Sequence, residues 1–462
     1  MKAGTLAIFF LFNLLLTSYF LDSWTNPNTT SRVLQVRSLL ENSSLNIDEY
    51  HEETIDKSLI NGHYYPDKAP MPTFLLFPMY KVLMSLGILP DPERDHNRSI
   101  FLLGSFLLSS LPMSLLMLFM CKSLLSQSLP VADALLLSSL PFYSSMIFVY
   151  TGTFYSHVLV AFFIVIAYEG IRRGNSYFLS GLLSGAAFFS EYLTAIPAAI
   201  WFFQIWFSRG FKRSFLYGLG LLPFVLAFMA YNHALTGNIL ETAYTHQVYY
   251  HMENAGFHWP DLVAGFDLLF SPWRGLIFYV PFLLAFIPLI RASSFCLKKI
   301  LSDSVLFPII VFFIAVTSFR EWHGGWTYGP RYLIPPVVLF LYAFAGRISE
   351  LNHKKAWIWA AMAIGLILTL SAKLTVQYSI PSNVKIPWLD SILPAVKSGN
   401  WLDTSLLQHF LHVSPGIACT IFVLLMMLYI LYLLIQGQGR RIVGTAAKDT
   451  FVENDDLRRA DG

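Results

Sequence analysis

The chain has 462 residues, 55% of them hydrophobic and 13% charged, with a net charge of +3 and a mean hydropathy of +0.55. A soluble domain carries about 25% charged residues, so the composition excludes a soluble globular protein and points to a multi-pass membrane protein. So small a net charge makes no case for a nucleic-acid partner.

Taken in order, the first apolar run covers 4–21 and follows Lys2. It reads as a signal anchor, because no small-residue cleavage site comes after it. Residues 22–98 form a long hydrophilic loop. Within it, Val33, Leu34, Val36, Leu39 and Leu40 alternate with Arg32 and Arg37, which predicts an amphipathic surface helix over 31–41 capped by Ser31 or Thr30. Residues 42–67 read as irregular and carry Asp48, Glu49, Glu52, Glu53 and Asp56. The apolar stretch 72–88 contains Pro72 and Pro78 and is followed by a polar turn, so it reads as an interfacial or re-entrant helix. Further apolar runs at 99–120, 131–150, 155–170, 177–193, 194–208, 214–232, 275–290, 303–319, 332–346, 356–373 and 415–435 bring the expected spans to twelve. The expected fold is all-α, a polytopic membrane protein with one transmembrane domain over 1–435 and a polar cytoplasmic tail over 436–462.

Orientation follows from the short loops. Lys2, Lys122, Arg172, Arg173, Arg209, Lys212, Arg213, Arg291, Lys298, Lys299, Arg347, Lys354, Lys355, Arg440 and Arg441 all fall on one side if there are twelve spans. That side is expected to be cytoplasmic and to hold both termini, with the protein in the inner or plasma membrane if the host is bacterial. The outer loops are then 22–98, 233–274, 320–331 and 374–414. Cys121, Cys296 and Cys419 give no disulfide framework. No internal repeat of the kind common in secondary transporters is evident. Asn28, Asn42 and Asn97 begin Asn-x-Ser/Thr sequences, which matter only in a host that glycosylates asparagine.

The densest polar cluster is NGHYYPDKAPMP at 61–72, immediately before an apolar stretch. Spanning a bilayer needs no such cluster, and charged and aromatic groups at the membrane surface suit a polar head group carried on a lipid. Other sequences of interest are YNHALTGN (231–238), LLFSPWRGLIFYVPFLL (268–284) and GGWTYGPRYLIPP (324–336). In order and spacing these pieces resemble the GT-C superfamily of membrane glycosyltransferases, in particular its family 39-like branch of protein O-mannosyltransferases and aminoarabinose transferases. The resemblance covers about the first three-quarters of the chain. It implies inverting transfer of a sugar from a polyprenyl-phosphate donor to a lipid, glycan or protein acceptor on the outer face.

That chemistry asks for cations against the departing phosphate, a base for the acceptor hydroxyl and flat aromatic surfaces for sugar. The family's acid shortly after the first span has no counterpart in Asn28-Thr29-Thr30-Ser31-Arg32, and Asp22 lies upstream. The expected base is therefore Asp56, then Asp67, then Glu191. The expected phosphate ligands are Lys68, which matches the family's Lys-Ala-Pro element, with Arg331, Arg274 and His63, and Arg32 as a further cation. Tyr64, Tyr65, His157, Trp322, Trp326 and Tyr328 are expected to bind sugar or acceptor.

Plainer readings stand beside these. Asp56 fits a solvated loop acid, Asp67–Lys68 a turn ion pair worth ~0–1 kcal/mol, and Arg331 an interface anchor. Trp273 reads as part of the aromatic belt. The double glycine beside Trp322 and Trp326 permits tight turns near a ligand and is harder to read as belt alone. His246, His251 and His258 share a loop with Glu241 and Glu253, but their spacing matches no compact metal motif. No cofactor is expected, and a divalent metal is the weaker alternative. The competing functions are a twelve-span transporter or lipid flippase and a non-catalytic membrane protein.

Overall fold

The computed structural model describes residues 3–22, 26–249, 256–287, 297–350 and 355–436. Lys2, His251, Glu253, Arg291, Cys296, Lys354, Arg440, Arg441 and the tail from 437 on lie outside the described residues.

The chain is mostly helical. Its helices include α1 (Ala3–Ser18), α2 (Pro27–Glu41), α3 (Met71–Ser85), α4 (Arg98–Ser126), α5 (His157–Arg173), α6 (Tyr177–Ser190), α7 (Ala195–Arg209), α8 (Phe211–Thr236), α9 (Leu262–Phe270), α10 (Leu306–Thr317), α11 (Ile334–Phe344), α12 (Lys355–Leu374) and α13 (Pro415–Gln436). By length and composition, five helical segments among the described residues suffice to cross a membrane: Arg98–Ser126, Phe211–Thr236, Arg331–Ile348, Ala356–Leu374 and Pro415–Gln436. Ala3–Ser18, Val131–Tyr143, Tyr177–Ser190 and Leu306–Thr317 are shorter apolar helices. The region expected as a span over 131–150 is broken into Val131–Leu137, Leu140–Tyr143 and Met146–Val149, interrupted by serines and Pro141.

The first long loop departs from expectation in two ways. α2 begins at Pro27, with the Asn26 side chain accepting from Asn28 N, so neither Thr30 nor Ser31 is its cap. Pro at the first helical position costs no hydrogen bond and fixes a helical φ. The second departure is an antiparallel hairpin, β1 (Lys57–Ile60) paired with β2 (His63–Pro66), where irregular chain was expected. Its turn is Asn61-Gly62, both at positive φ (53° and 85°), the conformation that a two-residue hairpin requires and that Asn-Gly supplies. A third segment closes on the hairpin: Val248 N donates to Lys57 O (3.0 Å), and Ser58 Oγ donates to Ala243 O (2.6 Å). The same segment is fastened further along, where His258 N donates to Ser318 O (2.8 Å).

Two contacts fix the helices beneath these loops. In the apolar body, Asn13 Oδ1 accepts from Tyr143 Oη (2.7 Å) and Tyr429 Oη (3.1 Å), joining α1, a short helix and α13. Elsewhere, α6 and α8 approach closely through glycine. A Cβ on Gly181 would lie 1.9 Å from Tyr217 O, and one on Gly220 would lie 2.0 Å from Phe178 O. Small residues allow such backbone contact between apolar helices, where packing rather than water exclusion supplies the attraction. A Gly181→Val substitution is therefore expected to separate the pair and lower the unfolding temperature of the detergent-solubilised protein. Gly4→Val, where a Cβ meets nothing within 4 Å, serves as the matched control and should leave it unchanged.

Candidate functional site

The turn after β2 carries Asp67 and Lys68 into a buried position. Lys68 Nζ lies 2.8 Å from Asp67 Oδ2 and 3.1 Å from Asp56 Oδ2. Gln247 Nε2 donates to the same Asp67 oxygen, so the strapping segment closes the far side of the pair. Burial raises the pKa of Asp67; Lys68 and the Gln247 hydrogen bond oppose the rise and Asp56 adds to it. Burial works against the charge of Lys68, but Asp56 and Asp67 outweigh it and push its pKa up.

A second polar group comes from the helix ends. Glu191, at the break between α6 and α7, accepts from Ser156 Oγ, and its Oε1 lies 3.2 Å from His157 Nδ1. Arg32, on α2, donates to Ser156 Oγ (3.3 Å) and to the Asn28 side chain. Burial lowers the pKa of Arg32, against which Glu191 and Asp67 favour its charge. Arg331, just before α11, stacks its guanidinium on Tyr155 (5.0 Å) and Tyr332 (5.2 Å). Among the described residues, no carboxylate forms an ion pair with Arg331.

These groups border one cavity of about 440 Å³. Its polar end holds Asn28, Arg32, Asp67, Lys68, His157, Glu191 and Arg331. Its other walls are Phe188, Leu193, Ile196, Phe228, Phe257, Ala315 and Phe319, with Tyr192, Tyr244 and Tyr332 between. Four buried atoms at the polar end have no hydrogen-bond partner: Arg32 Nε, Asp67 Oδ1, His157 Nε2 and Arg331 Nε. Buried polar atoms are ordinarily paired, and one left alone costs about 1–3 kcal/mol. All four belong to residues that line the one cavity, though each atom is itself covered.

Of the residues expected from sequence, Asp67, Lys68, His157, Glu191 and Arg331 meet here. Asp56 stands behind Lys68 and is not among the lining side chains. His63 pairs with Asp48 Oδ2 (2.6 Å) and is more than half exposed. Alternation along β2 sends its two tyrosines to different neighbours: Tyr64 stacks on His51 (3.8 Å), and Tyr65 packs with Ile60 and Tyr231. Arg274 is fully buried and donates to the carbonyls of Trp273, His323 and Gly325, so it ties a loop together. Trp322 stacks edgewise on Trp273, Trp326 is exposed, and Tyr328 packs on Tyr279. His246 pairs with Glu241 (2.7 Å). Among the described residues, no three His, Cys, Asp or Glu side chains converge as metal ligands would.

Tyr192, Tyr244, Tyr332 and Gln247 had no signal of their own in the sequence, and Asn28 was marked only by its Asn-x-Ser/Thr sequence and its place in the stretch after the first span. Tyr332 adjoins Arg331; Asn28, Tyr192 and Tyr244 reach the cavity only through the fold; and Gln247 reaches Asp67 without lining the cavity. No family model, curated protein or solved structure matches the chain.

The Lys68 pair makes a pH prediction. Removing its ammonium in Lys68→Met leaves Asp67 buried with only the Gln247 hydrogen bond to oppose the rise in its pKa. A carboxyl whose folded pKa is raised holds its proton longer than the unfolded chain does. Stability should therefore fall as pH rises from about 4, the unfolded value, through the raised one. Thermal unfolding against pH should show this fall more steeply in Lys68→Met than in the parent, and parallel curves would count against the coupling.

Proposed function

We propose that this protein transfers a sugar from a polyprenyl-phosphate donor to an acceptor hydroxyl at the outer face of a membrane, with inversion at the anomeric carbon. The observation that carries the reading is a buried Arg331 without a carboxylate partner, at the polar end of a cavity whose remaining walls are apolar. A lipid carrying a phosphate has both properties in one molecule. Arg331 and Arg32 would take the phosphate, the apolar wall the first isoprene units, and Asp67 Oδ1 a sugar hydroxyl. Tyr192, Tyr244 and Tyr332 would supply flat surfaces for the sugar ring. Lys68 is already neutralised by two carboxylates, so its role is to position Asp67 rather than to hold the phosphate. The resemblance to GT-C glycosyltransferases supports the same reading.

Arg331→Gln is expected to lower kcat/KM for donor by roughly ten- to a hundredfold, the worth of a hydrogen bond to a charged group at about 1.5–3 kcal/mol. Arg331→Lys should recover only part of this, because an ammonium cannot present the planar fork. The assay is transfer from a panel of polyprenyl-phosphate hexoses and pentoses in proteoliposomes. Wild-type rates in Arg331→Gln would rule out the phosphate assignment, and uptake of sugar without covalent transfer would point to a transporter.

The proposal includes a topology of twelve spans with both termini in the cytoplasm, supported by the sorting of Lys and Arg among the short loops. Introduced at two exposed positions, Glu52→Cys should react with a membrane-impermeant thiol reagent in intact cells, and Lys212→Cys only after permeabilisation. The reverse pattern would overturn the orientation.

A further inference from the structure

His157 and Glu191 form an arrangement that phosphate binding does not use. His157 opens α5, is 4% exposed, and borders the cavity. Its Nδ1 faces Glu191 Oε1 at 3.2 Å. A carboxylate only accepts, so the proton of the neutral ring sits on Nδ1, and Nε2 carries the lone pair. That nitrogen is buried and has no partner. The ring is also fixed in place: it stacks on Tyr155 (5.6 Å) and meets Tyr150 and Tyr332 edge-on. Ser156 donates to the same Glu191 oxygen and itself accepts from Arg32. A base oriented by a carboxylate, its second nitrogen covered but unpartnered in a residue that lines a cavity, resembles the pattern by which side-chain pairs activate hydroxyl groups.

The other acceptors in the cavity are more occupied. Asp67 Oδ2 takes both Lys68 and Gln247, and Glu191 Oε1 takes Ser156 and His157. Among the described residues lining the cavity, Asp67 Oδ1 is the rival acceptor that is buried and unpartnered.

We propose, on the reading that lipid-linked sugar is transferred here, that His157 is the base that receives the acceptor's proton and that Glu191 is its positioning residue. The acceptor oxygen bonds to the anomeric carbon as its proton passes to His157 Nε2. The bond from that carbon to the phosphate oxygen breaks, and its electron pair leaves with the polyprenyl phosphate, held by Arg331 and Arg32. The imidazolium so formed faces Glu191, which stabilises it, and its proton then passes to water. Protonation beforehand disables the base, so turnover falls as pH decreases. The charged and titratable groups around the ring are Glu191, Arg32, Arg331, Tyr150, Tyr155 and Tyr332.

The test is turnover against pH for the full chain in proteoliposomes, with binding of polyprenyl phosphate alone measured separately. His157→Gln is expected to lose about 10²–10⁴-fold in turnover, with the acid limb of the profile gone and polyprenyl-phosphate binding within about twofold of the parent. Glu191→Gln should move the acid limb to lower pH, because the imidazolium loses its carboxylate. Added imidazole should restore part of the turnover of His157→Gly, which also guards against a merely misfolded His157→Gln. Wild-type turnover in His157→Gln, an acid limb abolished by Asp67→Asn but not by His157→Gln, or no imidazole rescue where His157→Gln has also lost binding would each overturn the base assignment. No transfer by the parent from any donor in the panel would instead overturn the functional reading beneath it.

Discussion

Removing a guanidinium from water costs several kcal/mol even after the protein relaxes, and Arg331 is nine-tenths buried without a carboxylate beside it. Two aromatic faces return about 2 kcal/mol each at best when desolvated, and hydrogen bonding is incomplete because Nε is left alone. The surrounding chain is shaped to hold the group all the same. Gly324 sits at φ +77°, and a Cβ there would come within 3.1 Å of Arg331 Nε. Tyr150 fastens the same loop by bonding to Thr327 and to both the amide and the carbonyl of Tyr328. So much local order around a charge without a described carboxylate partner is costly, and an anion joining it, as proposed, would offset that cost.

The remaining site parts come from elements far apart in sequence, brought together by contacts that are themselves local. Glycine packing of α6 on α8 fixes the first turns of the helix whose far end carries Glu191. The Asn61-Gly62 turn folds the hairpin so that Lys57 and Ser58 meet the segment at 243–248, and this meeting delivers Gln247 to Asp67. The same segment carries Tyr244 into the cavity wall. A change in the hairpin turn would thus reach the site through the backbone bonds of the strap, without touching any lining residue.

Much of this was legible in the sequence, and the limits have physical causes. The apolar, helical character and helices near 31–41 and 72–88 follow from periodicity, and Asp67, Lys68, His157, Glu191 and Arg331 stand out where polar groups interrupt apolar runs; the first of these helices, expected on the membrane surface, is instead buried along most of its length, Arg32 included. The hairpin went unread although Asn-Gly between β-prone residues is its strongest short signal; the many acids nearby suggested irregular chain instead. Tyr64 and Tyr65 looked equivalent as neighbours, but a strand separates adjacent side chains, and neither borders the cavity. Arg274 looked like a ligand cation because a buried arginine and a functional one share the same sequence signal; its three carbonyl acceptors are visible only in the fold. Asp56 was favoured for its position in the loop, and it serves Lys68 from behind instead.

The charge pattern bears on the order of events in the proposed reaction. Lys68 faces two carboxylates, Arg32 meets Glu191 only through Ser156, and Arg331 has no carboxylate partner among the described residues. A sugar joined to polyprenyl phosphate is a diester with a single negative charge, which one guanidinium neutralises. As the anomeric bond breaks, the phosphate gains further negative charge. The nearest unpartnered donors are then Arg32 Nε and Arg331 Nε, both fixed before the reaction begins. Interactions that strengthen only as charge develops lower the barrier rather than merely tighten binding. Under the same logic, a donor that cannot release its phosphate would bind on Arg331 alone and draw little from Arg32. The two arginines, similar in sequence, would then act at different stages of one turnover.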